Sequence, residues 1–241
     1  MIAKKKIVLS WSGGKDSALA AYEILKEGRH DVAALLTTVT EDYDRVSMHG
    51  VRRVLLEAQA CALNLPVRQV LIPKDAGNAQ YEERMASVLE DFKAQGVHAV
   101  AFGDIFLEDL RAYRENNLAR LGLRGIFPLW KRETGALVKD FIRLGFKAVV
   151  VCVDTQVLDA SFAGAEINGD FLARLSAGVD PCGENGEFHS FVYDGPGWAR
   201  PVPFTLGERV VRDGHFCFQD IIPAAEDMSE RPAHDNPAAK S

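Results

Sequence analysis

The sequence predicts an α/β protein: a parallel sheet with helices on both faces, followed by a smaller α+β unit. Three observations carry this reading. Short apolar runs alternate with stretches of helical periodicity through the first half of the chain. The links are short, and glycines such as Gly28, Gly96 and Gly122 stand where helices should stop. Beyond about residue 128 that alternation gives way to loop-rich sequence and alternating strands.

The elements follow in order. KIVLSW, 6–11, reads as a short buried strand, and 18–26 as a helix closed by Gly28. VAALLTTV, 32–39, is a second buried strand, and 40–47 is a polar, acidic loop. Val51, Val54, Leu55, Ala58 and Ala62 give 48–64 a helical stripe. VRQVLI, 67–72, is a strand, 81–95 a helix, 98–103 a strand and 108–121 a helix. One more strand is expected at 125–129. Thr134 is expected to cap a helix with the stripe Leu137, Val138, Phe141 and Ile142, stopped by Gly145. KAVVVCVD, 147–154, is a strand, and further strands are expected near 188–193 and 201–218, with Arg212-Asp213-Gly214 as a hairpin turn. The expected division is 1–127 as a nucleotide-binding domain, 128–222 as a smaller substrate-binding α+β domain, and 223–241 as a disordered tail rich in Pro, Ala, Asp and Glu.

A chain of 241 residues, 47% hydrophobic, can bury one large or two modest cores. Its net charge is −6 and no long basic run occurs, so neither duplex nucleic acid nor a membrane surface has electrostatic support as a partner. Lys4-Lys5-Lys6 reads as a solvated strand entry. The cysteines, Cys61, Cys152, Cys182 and Cys217, form no C-x-x-C pair. Cys61 and Cys152 lie in apolar sequence and are expected to be buried thiols; Cys182 lies in a polar loop. Ile7–Trp11 is too short for the apolar core of a signal peptide, and no run reaches membrane-spanning length. A reducing cytoplasm fits best.

The stretch SWSGGKDS, 10–17, carries the chemistry. It follows a buried strand and opens a helix, the place where open α/β sheets bind ligands. Gly13 and Gly14 permit positive φ and remove bulk, so successive N–H groups can form an anion nest. The helix adds its positive end, Lys15 a full charge, and Ser12 and Ser17 short donors. Asp16 repels phosphate unless a cation intervenes, and Mg²⁺ favours a carboxylate together with phosphate oxygens. The plainer reading is that Asp16 caps the helix. A second glycine-rich loop, CGENGEFHSF at 182–191, places Glu184 and Glu187 three apart, and such a loop can bring both carboxylates toward one point. They could bind an amine or quaternary ammonium, hold ammonia, or ligate a second Mg²⁺; the plainer reading is a solvated acidic turn. His189 alone reads as a packed or surface residue.

The loop is neither a Walker sequence, which is longer, nor G-x-G-x-x-G. SGGKDS resembles the PP-loop S-G-G-x-D-S of the N-type ATP pyrophosphatase superfamily. The 182–196 stretch, with His49, GDI at 103–105, PLW at 128–130 and LGFKAVVVCVD at 144–154, resembles the diphthine–ammonia ligase (diphthamide synthase) family, in its bacterial-type branch. Asn185 stands where the family pattern has glycine. The resemblance covers about residues 6–222.

It implies a Rossmann-like sheet of the adenine nucleotide alpha-hydrolase type, and cleavage of ATP between α and β phosphates with AMP and pyrophosphate released. A substrate carboxylate would be adenylated and then captured by ammonia. Lys15, Asp16 and Ser17 are the expected catalytic residues, with Asp16 on the metal. Ser10, Ser12, Gly13, Gly14, Lys15, Ser17, Thr37, Thr38, His49, Gly103 and Asp104 are expected around the nucleotide. Gly183, Glu184, Asn185 and Glu187 are expected on the acceptor. Thr37 and Thr38 could equally satisfy a strand end, and His49 could simply cap a helix. Arg111 and Arg114 could touch phosphate or substrate, with surface solvation the plainer reading, and Trp130 reads as a stacking or seam residue. The expected cofactors are ATP and Mg²⁺. The expected partners are ammonia and a carboxylate acceptor, an elongation-factor diphthine by family or a small metabolite; a homodimer is compatible but has no direct warrant. Two alternatives stand beside this: an ATP- or AMP-binding protein without turnover, and a PP-loop tRNA-modifying enzyme. The second predicts cysteine pairs or a basic extension, neither of which is present.

Overall fold

In the computed structural model residues 4–46 and 50–224 are described, and they form two sheets. The first contains β1 (Lys5–Ser10), β2 (His30–Thr40), β3 (Arg45–Val46), β4 (Val67–Ile72), β5 (Val97–Ala101) and β6 (Arg124–Ile126). β1 lies parallel to β2 and β5, β2 to β4, and β5 to β6. The parallel order is therefore β4-β2-β1-β5-β6, which reverses direction at β1 and opens a crevice at its carboxyl end. The connecting helices are α1 (Lys15–Glu27), α2 (Arg53–Ala62), α3 (Asn78–Ala94) and α4 (Glu108–Arg120). Ile7 and Leu9 belong to one apolar cluster and Val8 to another, so both faces of β1 are covered. Burial on both faces explains why this strand reads as a continuous apolar run.

The second sheet is antiparallel, in the order β8-β7-β10-β9. Its strands are β7 (Lys147–Asp154), β8 (Phe188–Asp194), β9 (Phe204–Arg212) and β10 (Phe216–Pro223), accompanied by α5 (Thr134–Arg143) and α6 (Gly169–Arg174). One apolar cluster joins Ile7, Leu9, Ala21 and Ile24 to Phe141, Val150, Phe188 and Phe191, so the two sheets share a core.

Several expectations change. α1 starts at Lys15 rather than 18, because Gly14 adopts the extended cap conformation (φ −88°, ψ 173°) and Lys15–Ser17 form the first turn. Asp16 is inside that turn and does not cap it. Glu133, not Thr134, caps α5; its carboxylate accepts from the N–H groups of Gly135 and Ala136. The polar 40–47 segment holds a hairpin, with β3 antiparallel to the end of β2 and Asp44 at φ 52°. α6 went unread in loop-rich sequence; Asn168 caps it, accepting from the Phe171 N–H. Cys61 is exposed on α2, whereas Cys182 is buried and its thiol donates to the Thr134 carbonyl at 3.3 Å. Asp213 and Gly214, both at positive φ, turn β9 into β10 as expected. His49 and residues 225–241 lie outside the described residues. No helix among the described residues is long and apolar enough to cross a membrane.

Candidate functional site

The loop between β1 and α1 folds around its own hydroxyls. The Ser17 hydroxyl donates to the Gly14 carbonyl at 2.9 Å, and Ser12 Oγ lies 3.2 Å from Ser17 Oγ and accepts from Gly14 N. Gly13 has φ +78°, and a Cβ there would lie 2.6 Å from Gln59 Oε1. Gly103 supports the loop from beneath: a Cβ on it would lie 2.7 Å from the carbonyl carbon of Asp16 and 2.9 Å from Ser17 N. Only glycine lets the end of β5 approach the first turn of α1 so closely.

Beside the loop lies a cavity of about 230 Å³, lined by Ser10, Ser12, Thr37, Thr38, Phe102 and Arg114 among others. Strand register explains it. β1 pairs with β2 only as far as Leu36, and Trp11 N then donates to the Leu36 carbonyl. β3 takes up the same edge at Val39. Between them, Thr37 and Thr38 have β4 on one side and no strand on the other. Thr37 is buried, yet its hydroxyl oxygen has no hydrogen-bond partner among the described residues. An orphan buried hydroxyl costs about 1–3 kcal/mol until a ligand satisfies it. A nucleobase and ribose fit that donor set, with their phosphates toward Gly13–Ser17.

The charged groups meet at the head of α1. The Lys15 ammonium is buried and touches both Asp16 oxygens at 2.8 Å. Burial would lower its pKa, but the Asp16 carboxylate, with further help from Cys182 and Glu184, holds it above the ordinary lysine value. Glu184 reaches across from the second unit, and its Oε1 accepts from Ile105 N at 2.9 Å. Burial first, then the neighbouring Asp16 and Asp104, push its carboxyl up to about 7 against the pull of the Ile105 N–H and Lys15. Asp104 is also raised, by burial, against the Arg114 guanidinium that sits on it. Arg114 Nε approaches Asp104 Oδ2 at 2.7 Å as an ion pair, though too bent to count as a hydrogen bond; its NH2 donates to Oδ1 at 3.2 Å. The guanidinium also lies 4.4 Å above the Phe102 ring. It is a structural partner of the site rather than a solvated side chain. His189 is driven down to about 4 by burial and by Lys15, so its imidazole is neutral at pH 7.

The two glutamates of the 182–191 loop do not converge. Glu187 is 4% exposed and folds its own loop: Oε1 accepts from Asp180 N and Asn185 Nδ2, and Oε2 from Asn185 N. A carboxylate this buried must be hydrogen-bonded, and the nearest donors are those of its own turn. Asn185 is thereby engaged as well, and Gly183 (φ +68°) lets the chain pass the Phe188 carbonyl. Glu184 alone points at the loop of α1.

Two residues that sequence reasoning missed tie the units together. Gln59, wholly buried, accepts from the Trp11 indole at 3.0 Å and donates to the carbonyls of Gly13 and Val192 at 2.9 and 2.6 Å. The Ser190 hydroxyl accepts from Lys15 N at 3.1 Å, satisfying a first-turn amide of α1 from β8. A polar residue on the apolar stripe of 48–64 was the one available signal for Gln59. Trp130, just past the expected boundary, packs edge-on against Phe127 and under Arg111 of the first unit. Among the described residues no three His, Cys, Asp or Glu side chains group as a metal cage. A Mg²⁺ held by one carboxylate and phosphate oxygens needs no cage, and Asp16, its side chain 31% exposed, is the carboxylate that fits.

Family models match both parts of the chain: the diphthamide synthase N-terminal domain over residues 4–125 and the C-terminal domain over 133–214. A diphthine–ammonia ligase from Danio rerio is 27% identical over 224 residues, covering 83% of this chain and 86% of that protein. Its counterpart from Rattus norvegicus is 26% identical over 83% of each chain. One from Schizosaccharomyces pombe is 26% identical over 91% of this chain but 39% of its own length.

Proposed function

The chain belongs to the diphthamide synthase family, and from that premise we propose that it is an ATP-dependent carboxylate–ammonia ligase working through the loop at 12–17. The loop is read as the PP-loop of an N-type ATP pyrophosphatase, in the bacterial-type branch. Residues 1–127 would hold the nucleotide and 128–222 would present the acceptor. The observation that carries this is the cavity beside Ser10 and Ser12, with the unsatisfied Thr37 hydroxyl on its wall.

The chemistry follows in two steps. An acceptor carboxylate oxygen attacks the α-phosphorus of ATP, and pyrophosphate leaves with the bonding electron pair. Ammonia nitrogen then attacks the acyl carbon, the acyl C–O bond breaks, and AMP leaves with that electron pair while the surplus N–H proton passes to the AMP phosphate or to water. The N–H groups at the head of α1 and the Lys15 ammonium stabilise charge as it builds on the departing pyrophosphate. Asp16 would hold Mg²⁺, which neutralises phosphate charge; Lys15 must then exchange Asp16 for phosphate. Glu184 attracts ammonium and takes its proton, leaving the nitrogen lone pair free. The diphthine carboxylate is the acceptor the named relatives suggest, and a small metabolite carboxylate is the alternative. A cytoplasmic setting is proposed with it, supported by four free thiols.

The test is product analysis with ATP, Mg²⁺, ammonia and host extract. AMP and pyrophosphate, with a one-unit mass decrease on the acceptor, are expected; ADP and phosphate overturn the reading. Lys15→Ala should lower turnover about 10²–10³-fold, whereas a nucleotide sensor would lose affinity alone.

A further inference from the structure

A second cavity, of about 520 Å³, lies away from the loop, in the seam between the β2–β3 hairpin and the outer face of β9 and β10. Three guanidinium groups from separate elements meet there: Arg45 on β3, Arg52 just before α2, and Arg212 at the end of β9. Their surroundings are organised. Arg52 grips Asp220 through Nε at 3.3 Å and NH2 at 2.6 Å, and Arg45 NH1 donates to the same carboxylate at 2.9 Å and to the Gly50 carbonyl at 2.6 Å. Burial would raise Asp220, but the two arginines hold it below the ordinary aspartate value, so it stays ionised and fixes both guanidinium planes. Arg212 is different. It is exposed, and its guanidinium lies over the rings of Tyr43 and Phe218, 5.9 and 5.8 Å from their centroids. Among the described residues the one other carboxylate on the lining is Glu208. Val151, Phe218 and Ile222 give the cavity an apolar floor.

We propose that this cavity binds a small organic anion, with carboxylate or phosphate groups on the arginines and an apolar body on Phe218 and its neighbours. Fixed, planar guanidinium groups are the donors that carboxylates and phosphates share. The site is also close to the cavity proposed for the nucleotide. Consecutive residues of β3 divide the two cavities, Arg45 lining one and Val46 the other. Along α2, Arg52 is roughly 10 Å from Gln59 by helix rise, and Gln59 touches Gly13. The acceptor of the ligase reaction is an anion of that class. That role rests on the ligase reading; the binding itself does not.

The experiment is calorimetric titration of the full chain with citrate and, separately, pyrophosphate, each with and without saturating ATP. With ATP saturating the loop, binding of either at one site is expected, and the preferred probe identifies the anion as carboxylate or phosphate. Arg212→Gln should weaken it about tenfold or more and leave ATP affinity unchanged. Arg212 is the informative position, because Arg52→Gln would also loosen the seam. No binding at millimolar probe with ATP present, or equal binding by Arg212→Gln under the same conditions, overturns the proposal. AMP release measured alongside separates the two readings. Anion binding without AMP formation sinks the ligase and leaves the site; AMP formation without anion binding does the reverse.

Discussion

Glu184 is the residue whose environment says most about the chemistry. Its carboxyl is pushed up to about 7, first by burial and then by Asp16 and Asp104. If it takes the proton of ammonium it must be ionised, so ammonia-dependent turnover should climb through about pH 7 in the wild type. Glu184→Gln should lose that step and the bulk of the rate, read as a pH–rate profile at saturating ATP. Stability runs the other way. A carboxyl raised above its unfolded value disfavours the fold once both states are ionised, above about 7, and not when both are protonated, below about 4.5. Glutamine keeps an acceptor for the Ile105 N–H without the charge. Discounted for solvent screening, the gain is about 1 kcal/mol, or roughly 2–4 °C in Tm at pH 8, and none at pH 4. Equal shifts at both pH values would refute the electrostatic account. Spacing pairs Glu184 with Glu187 and cannot reveal which carboxylate the backbone turns inward; in the fold Glu184 meets Ile105 N while Glu187 turns back on its own loop. Gln59 was harder still. Its role depends on Trp11, Gly13 and Val192, which are distant in sequence. Gln59→Leu strands the Trp11 indole N–H and the Val192 carbonyl, a loss of about 2–4 kcal/mol. Thermal unfolding should show a fall of roughly 5–15 °C.

At the scale of elements, the first turn of α1 is the point where sequence and structure depart most usefully. Periodicity placed the helix at 18, since SGGKDS has no apolar stripe. The observed start at Lys15 puts the Lys15–Ser17 amides at the loop itself. What holds them there is Gly103 at the end of β5. Gly103→Ala must push α1 outward or bend β5, as the clash is with backbone and no side chain can yield. ATP affinity should fall about tenfold or more, since each lost contact to a charged oxygen is worth about 1.5–3 kcal/mol. Filter binding measures it, and wild-type affinity would show that β5 does not support the loop. The strand at 147–154 is legible to the residue, because a continuous apolar, β-branched run has one explanation when both faces are buried; 67–72 is buried only at Val70 and Ile72, and is marked by its β-branched and aliphatic residues around Arg68 and Gln69. The two-residue β3 is not legible, since so short a strand has no period. Yet β3 matters to the site: by resuming the edge that β1 leaves, it bounds the gap at Thr37 and Thr38.

For the whole molecule, the question is whether the two sheets are separate folding units. The change of pattern near residue 128 suggested two domains. The apolar cluster argues for one cooperative body, because α1 and β1 share it with β7 and β8. Polar ties reinforce this: Val192 N donates to the Gly13 carbonyl at 2.9 Å, and Ser190 accepts from Lys15 N. Separating the units would open Trp11 and Phe191 to water and leave the loop without its second wall. Heat should therefore unfold the chain in a single transition, with calorimetric and van't Hoff enthalpies equal and with tryptophan fluorescence and far-UV dichroism coincident. ATP at about a hundred times its Kd should stabilise that one transition by about 2.7 kcal/mol, moving it up by roughly 5–10 °C. Two transitions, of which ATP moves only one, would show that the second sheet folds independently. The contacts from Ser190 and Val192 would then form only after the loop is already built.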